Sequence, residues 1–147
     1  MVQTNIVVPD EKVISEETIK NRIEQEEIQE VKKLLVVDDD LDYLGTLAFI
    51  LEKQFEIYTA TGVKEALQFL DNKKVDAICS DFNMCDGTGL DILEDIRKSG
   101  IVIPFLLMSC SDDYLLERKV KLYDGVFCCK TDNDLIARIT TLVEYGK

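Results

Sequence analysis

Short apolar runs alternate with amphipathic segments from residue 33 to the end of the chain. Each run has the length of one strand. Runs that are apolar throughout are typical of strands in a parallel sheet that is covered on both faces. The pattern predicts five strands, within 33–39, 55–59, 75–80, 102–108 and 125–129.

The segments between these runs place apolar residues three and four positions apart, which is the spacing of one helical face. The clearest examples are Leu44, Leu47, Ala48 and Leu51, then Val63, Ala66, Leu67 and Leu70, then Leu90, Leu93 and Ile96, and finally Leu135, Ile139 and Leu142. A polar, charged stretch occupies 111–121. Five strands alternating with five helices predict a doubly wound α/β fold with a five-stranded parallel sheet. We expect the flavodoxin-like strand order 2-1-3-4-5.

Residues 1–32 have a different texture, and we interpret them as an acidic, partly helical N-terminal extension of a domain that spans 33–147. No Gly or Pro occurs between Ser15 and Lys33, and Ser15 is suited to cap a helix. The apolar residues of this stretch spread over about half of the helix circumference; they are Ile19, Ile23, Ile28 and Val31. Two interpretations stay open: a solvated arm, or a helix that docks on the domain or on a partner.

Composition excludes several classes of function. The 147 residues include 29 acidic and 17 basic ones, for a net charge of −12, and no histidine. The negative charge disfavours binding to nucleic acid or anionic membrane. The lack of histidine excludes Ser-His-Asp and Cys-His catalysis, histidine-ligated zinc and a phosphohistidine within this chain. No apolar run approaches the roughly 18 residues of a membrane span. We therefore expect a cytoplasmic protein.

Five cysteines occur without a CxxC pair, at positions 79, 85, 110, 128 and 129. Because the count is odd and no secretion signal precedes the domain, we interpret them as reduced thiols that pack as small apolar side chains. A redox or metal-binding role is the less favoured alternative. Negative charge near the strand ends would disfavour a reactive thiolate.

Polar side chains follow the predicted strands on the edge where ligands bind in such sheets. Asp38, Asp39 and Asp40 end the first strand, Asp81 the third and Ser109 the fourth, and Lys130 follows the fifth. Ligands bind beyond the carboxyl ends of parallel strands, where the strand order reverses. Clustered carboxylates repel one another unless they share protons or bind a cation, and oxygen ligands suit Mg²⁺. A carboxylate can also attack phosphorus and form an aspartyl phosphate.

Four segments together resemble the receiver domain of two-component response regulators: LLVVDDD at 34–40, SDFNMCDGTGLDIL at 80–93, PFLLMSCS at 104–111 and FCCK at 127–130. The resemblance covers about 33–145. It implies that Asp81 accepts a phosphoryl group and that Mg²⁺ is held by Asp38, Asp39, Asp81 and the backbone carbonyl of Asn83. It further implies that Lys130 and Ser109 assist phosphotransfer, that Ser109 and Phe127 form the conformational switch, and that Asn83 and Ser111 tune dephosphorylation.

Three positions depart from the family pattern. Cys85 and Thr131 stand where prolines are usual, and Cys110 stands where a smaller residue normally admits the phosphoryl group. Thr131 leaves the geometry of the loop after the fifth strand open. The third predicts slower access to Asp81.

The resemblance predicts a signalling switch rather than a turnover enzyme, one that catalyses only its own phosphotransfer and dephosphorylation. A histidine kinase or histidine phosphotransfer protein would be the donor, and a downstream protein the target. We expect no DNA-binding output segment, and a monomer or weak homodimer. One alternative is a pseudo-receiver that works as a constitutive protein-binding module. Another is a small phosphohydrolase with Asp38 and Asp40 as a DxD motif and Asp112 and Asp113 as distal acids.

Overall fold

A computed structural model describes residues 15–28 and 30–147, with the side chains of 23–28 left aside. The chain divides into two units, Met1–Glu30 and Val31–Lys147. In the first, helix α1 spans Glu16–Ile28. The predicted cap is confirmed, because the hydroxyl of Ser15 accepts a hydrogen bond from the backbone N–H of Thr18 at 3.1 Å.

The second unit is the predicted α/β domain. Its strands are β1 (Lys33–Val37), β2 (Glu56–Ala60), β3 (Ala77–Asp81), β4 (Asn83–Met84), β5 (Gly87–Thr88), β6 (Phe105–Ser109) and β7 (Val126–Cys129). Its helices are α2 (Leu41–Leu51), α3 (Val63–Asn72), α4 (Gly89–Lys98), α5 (Tyr114–Leu122) and α6 (Leu135–Tyr145). The main sheet is parallel with the order β2-β1-β3-β6-β7. This is the expected order 2-1-3-4-5, because β4 and β5 form a separate two-stranded sheet.

Alternate residues of each central strand face opposite sides of the sheet and build two separate cores. In β1, Leu34 and Val36 pack with α2 and α6, whereas Leu35 and Val37 pack with α3, α4 and α5. All four side chains are fully buried. The sheet is therefore covered on both faces, which explains why its strands lack an apolar–polar alternation.

Two predicted details are corrected by the structure. The fourth predicted strand, 102–108, begins only at Phe105, and Val102 is 83% exposed. Pro104 has no N–H to donate, so pairing starts at its carbonyl, which accepts from the N–H of Ile78 at 2.9 Å. The antiparallel pair of β4 and β5 was not predicted at all, because two-residue strands carry no periodicity.

Gly89 is required by close packing at the start of α4. A Cβ at this position would overlap the carbonyl oxygen of Asp81 and lie 2.8 Å from the hydroxyl of Ser80. The N–H of Gly89 also donates to the carbonyl of Phe82 at 2.8 Å. The helix therefore approaches the end of β3 closely only because residue 89 has no side chain.

We predict that Gly89→Ala lowers the free energy of unfolding by roughly 1–3 kcal/mol, because backbone must move to admit the methyl group. Gly45→Ala is the matched control, since Gly45 lies inside α2 with nothing within 4 Å of an added Cβ. That change should stabilise the protein by about 1 kcal/mol through helix propensity. Urea denaturation measures both, and equal effects would contradict the packing argument.

Candidate functional site

The acidic residues predicted to converge do so at the carboxyl ends of β1 and β3. These strands are neighbours, with Val37 paired to Ser80, so Asp38 and Asp81 follow at the same level. Carboxylate oxygens of Asp38, Asp39 and Asp81 lie within 4.8 Å of one another. Asp38 is fully buried and Asp81 is 8% exposed. The topology thus concentrates three negative charges in a partly desolvated place.

Lys130 supplies the opposing charge. Its Nζ lies 2.8 Å from Oδ2 of Asp38 and 3.2 Å from Oδ1 of Asp81, so one ammonium bridges both buried acids. The backbone of Lys130 is fixed as well, because its N–H donates to the carbonyl of Ser109 at 2.7 Å. Three ionised carboxylates and one ammonium leave about two negative charges uncompensated, a charge that suits a divalent cation.

The electrostatics of the pair follow from burial and proximity. Burial, and then the neighbouring charge of Asp38, raise the pKa of Asp81, while Lys130 acts in the opposite direction. Burial disfavours the charged form of Lys130, but its hydrogen bond to Asp38 and the charges of both carboxylates outweigh this and raise its pKa. Lys130 therefore stays protonated at neutral pH.

The third acid of the DDD run has a different task. The carboxylate of Asp40 accepts hydrogen bonds from the N–H groups of Asp42 at 3.1 Å and Tyr43 at 3.2 Å, which caps α2. The N–H of Asp40 in turn donates to Oδ1 of Asp38 at 2.9 Å. Asp112, one of the two distal acids considered for a phosphohydrolase, accepts from the thiol of Cys129 at 3.0 Å. These contacts give both acids structural partners.

Tyr43 belongs to the site, although no pattern along the chain indicated it. Its ring lies under the ammonium of Lys130, with Nζ 4.2 Å from the ring centroid. Burial is the main cause that raises the pKa of Tyr43 to about 12. The phenol therefore stays neutral, and the ring acts as a cation–π partner of Lys130. No spacing rule could have indicated this contact, since it joins α2 to the end of β7.

The predicted switch residues lie on the two strands beyond Asp81. Ser109 ends β6 and is 8% exposed, and Phe127 lies in β7 with its side chain buried among residues of α5 such as Leu116 and Val120. The carbonyl of Phe127 accepts from Nη2 of Arg138 at 3.0 Å. Three neighbouring strand ends therefore carry the site residues: Asp81 ends β3, Ser109 ends β6, and Lys130 comes directly after β7.

The two predicted tuning positions, Asn83 and Ser111, are both exposed. Asn83 begins β4, two residues after Asp81, and pairs with Thr88. Ser111 lies in the segment between β6 and α5. Their effects on metal binding and dephosphorylation stay predictions, as does the role of each site residue in phosphotransfer.

All five cysteines lie in the described part of the chain, and none forms a disulfide there. Cys79, Cys128 and Cys129 are buried, Cys85 and Cys110 are exposed, and all five are free thiols. Burial raises the pKa of Cys79 well above its usual value and that of Cys128 to about 11. Hydrogen bonding to Asp39 and the charge of that carboxylate raise the pKa of Cys85. The thiols of Cys79, Cys85 and Cys128 therefore remain protonated at neutral pH.

The loop after β7 follows an ordinary backbone path despite Thr131. All peptide bonds among residues 15–28 and 30–147 are trans, and this includes the bond between Lys130 and Thr131. The ammonium of Lys130 nevertheless reaches both acids. Threonine in place of the usual proline is thus compatible with the lysine bridge.

Comparison with known proteins agrees with this geometry. A family model described as the response regulator receiver domain matches residues 34–126. The chain belongs to the receiver domain family of response regulators. The matched region ends before Phe127 and Lys130, so the placement of these two residues beside the acids rests on the structure.

Among its relatives is the transcriptional regulatory protein CpxR homolog of Haemophilus influenzae, 33% identical over 118 residues that make up 77% of this chain and 51% of that protein. The first curated relatives are all longer, and the alignments span 15–51% of their length. The receiver domain of the Francisella response regulator 1452 matches with 25% identity and a TM-score of 0.72, covering 79% of this chain and 99% of that one.

A second structural relative is the response regulator TrrA of Thermotoga maritima, solved in complex with Mg²⁺ and BeF. It is 26% identical with a TM-score of 0.65, covering 75% of this chain and 96% of that one. Receiver domains bind Mg²⁺ at an acidic site, and this chain has such a cluster in Asp38, Asp39 and Asp81. Among the described residues, none of the helices is both long and apolar enough to cross a membrane.

We predict that Asp81→Asn raises the free energy of unfolding at pH 7 without Mg²⁺ by on the order of 1 kcal/mol. The amide removes a negative charge that burial and Asp38 disfavour. Because the pKa of Asp81 is raised in the folded state, its destabilising effect is absent at low pH and appears as the pH rises through its unfolded and then its folded pKa. The gain should therefore shrink as the pH falls.

The control for this prediction is Asp71→Asn, which removes the same charge from an exposed position of α3. Its effect should stay within about 0.5 kcal/mol at every pH. Urea denaturation from neutral to acidic pH distinguishes the two variants. A loss of stability in Asp81→Asn would show that the contact with Lys130 outweighs the repulsion.

We also predict that Tyr43→Leu destabilises the domain by about 0.5–2 kcal/mol more than Tyr43→Phe does. Both variants lose the hydroxyl, but only the leucine variant loses the aromatic face under Lys130. Urea denaturation at low salt provides the comparison. Equal losses in the two variants would mean that only the volume of the side chain matters.

Proposed function

We propose that this chain is a phospho-accepting switch that is phosphorylated on Asp81 in a Mg²⁺-dependent reaction. The observation that carries the proposal is the bridge of Lys130 between Asp38 and Asp81, at 2.8 and 3.2 Å, beside a third carboxylate and the hydroxyl-bearing end of β6. Charge neutralisation and positioning are what phosphoryl transfer requires most.

Each residue has a specific task in the transfer. A carboxylate oxygen of Asp81 attacks phosphorus of a phosphohistidine, the P–N bond breaks, and its electron pair stays on the imidazole nitrogen, which becomes protonated. Lys130 holds its ammonium at Oδ1 of Asp81 and so lies beside the charge that develops on the phosphoryl oxygens. Ser109 offers a hydroxyl from the neighbouring strand end.

The carboxylates of Asp38, Asp39 and Asp81 and the carbonyl of Asn83 would hold Mg²⁺. The donor set fits this ion, because it consists of oxygen atoms only and carries more negative charge than Lys130 compensates. Bound there, the ion supplies positive charge against the carboxylates and the phosphoryl oxygens.

The phosphoryl donor is another protein, a histidine kinase or a histidine phosphotransfer protein, since this chain has no histidine. We propose that the output is contact with a downstream protein, not with nucleic acid, and that the domain catalyses only its own phosphotransfer and dephosphorylation. A hydrogen bond to the phosphoryl group would draw the side chain of Ser109 inward. The side chain of Phe127 would then move into the space that is freed, which would remodel the face formed by β7 and α5.

We predict that the protein gains one phosphoryl group when it is incubated with acetyl phosphate and Mg²⁺, and that chelation of the ion prevents this. Acetyl phosphate replaces phosphohistidine, with acetate as the leaving group. Asp81→Asn should abolish labelling, and Lys130→Ala should slow it by a factor on the order of 100. Intact-protein mass spectrometry follows the reaction.

Asp71→Asn serves as the control and should be labelled like the wild type, because Asp71 is exposed on α3. Full labelling of Asp81→Asn would overturn the assignment of the acceptor. A wild-type chain that neither binds Mg²⁺ nor accepts phosphoryl groups would instead support a pseudo-receiver with constitutive contacts.

A further inference from the structure

The turn between β4 and β5 carries an acid whose side chain leaves its own hairpin and caps a different helix. Oδ1 of Asp86 accepts from the N–H of Val63 at 2.8 Å, and Oδ2 accepts from the N–H of Lys64 at 3.0 Å. Both donors belong to the first turn of α3. These two hydrogen bonds are the main cause that lowers the pKa of Asp86. The contact is therefore between an ionised carboxylate and the positive end of a helix.

Helix α3 has no cap of its own. Gly62 occupies the N-cap position, where serine, threonine, aspartate or asparagine would normally supply an acceptor. Its φ of −174° is extended, so the backbone does not require glycine there. The available space favours glycine instead, because a Cβ at Gly62 would lie 2.7 Å from Oδ1 of Asp86. The helix thus lacks a local cap at the place that the distant carboxylate occupies.

Asp86 also lies at the tip of the segment that follows the phospho-acceptor. The hairpin pairs Asn83 with Thr88 and Met84 with Gly87, and two-residue strands have little stability of their own. Its base is attached where the N–H of Phe82 donates to the carbonyl of Met108 at 2.8 Å. Within the described residues, the two hydrogen bonds of Asp86 are the side-chain link from its tip to another helix.

The helix that receives Asp86 is itself connected to the other side of the acidic cluster. It follows β2, and the carbonyl of Ala60 at the end of β2 accepts from the N–H of Asp38 at 3.1 Å. The contacts therefore lead from Asp38 through the end of β2 to the start of α3, and from there through Asp86 to the hairpin that begins after Asp81.

We propose that Asp86 is a positioning residue that anchors the hairpin of residues 82–88 to α3 and thereby keeps the segment carrying Asn83 in place for Mg²⁺ binding. The anchoring is a property of the fold, whereas its effect on Mg²⁺ rests on the function proposed above. Loss of the anchor should weaken Mg²⁺ binding without a change in any predicted metal ligand.

Three variants separate anchoring from helix stability. Asp86→Ala removes both the cap and the link. Asp113→Ala is the matched control, because Asp113 caps α5, a different helix, through the N–H of Leu116 at 3.1 Å. In the double variant Gly62→Ser with Asp86→Ala, the serine supplies a local cap in extended backbone, and the clash with Asp86 is gone. The double variant therefore restores the cap but not the link.

Amide NMR of the full chain provides two readouts, a Mg²⁺ titration and hydrogen exchange of residues 82–88, alongside the thermal midpoint. Both single variants should lower the midpoint by a few degrees. Only Asp86→Ala should raise the Kd for Mg²⁺, by about tenfold, and speed exchange in the hairpin. The double variant should regain the midpoint and keep the weak Mg²⁺ binding and the fast exchange.

Two results would overturn the proposal: unchanged hairpin exchange in Asp86→Ala, or Mg²⁺ affinity restored by Gly62→Ser. The second would mean that Asp86 acts only as a cap. Saturable Mg²⁺ binding by the wild type tests the proposed function separately. If the wild type binds no Mg²⁺ while exchange in the hairpin accelerates in both Asp86→Ala variants, the metal site fails and the anchor stands.

Discussion

The bridge of one ammonium between two buried carboxylates is the interaction on which the site depends. The parallel sheet brings the ends of β1 and β3 together, so Asp38 and Asp81 lie close to each other. Two unit charges 4 Å apart interact with about 4 kcal/mol at an effective dielectric constant near 20. Lys130 offsets this repulsion from both sides at once. The ring of Tyr43 is a third contact of the ammonium, with Nζ 4.2 Å from the ring centroid.

The topology explains how residues so far apart in the chain form one small site. Asp38 and Lys130 are separated by 92 positions, but they follow strands whose carboxyl ends lie on the same edge of the sheet. Since β6 lies between β3 and β7, the strand end that carries Ser109 falls between those that carry Asp81 and Lys130. The strand order therefore determines the order of these residues along the edge of the sheet, and the long side chain of Lys130 reaches back to both acids.

Strand ends were predictable from sequence because both the apolar runs and the chemistry that follows them are local. Asp38, Asp81, Ser109 and Lys130 could each be placed in this way, and one rule about parallel sheets then brought them together. Tyr43 and Asp86 could not be predicted, because each contacts an element that is distant in the chain. The ring of Tyr43 lies against the ammonium of Lys130, which follows β7. The carboxylate of Asp86 caps the N-terminus of α3, 22–23 residues away. In the sequence, the one local sign of the contact made by Asp86 is that glycine, which has no side chain to cap a helix, occupies position 62.

The ammonium of Lys130 is shared unequally between Asp38 and Asp81, and this inequality bears on how the ammonium would respond to a new charge at Asp81. In the structure its ammonium is closer to Asp38, at 2.8 Å, than to Asp81, at 3.2 Å. A phosphoryl group at Asp81 would replace one negative charge by about 1.5 to 2, spread over oxygens that extend further from the strand. The negative potential would then be stronger on the side of Asp81, and we expect the ammonium of Lys130 to move closer to that residue. The same charge lies next to the hydroxyl of Ser109, the residue whose carbonyl holds the backbone N–H of Lys130 at 2.7 Å. If Asp81 is phosphorylated as proposed, the change would reach β6 and β7 through two contacts of Lys130, its side chain at Asp81 and its backbone N–H at Ser109.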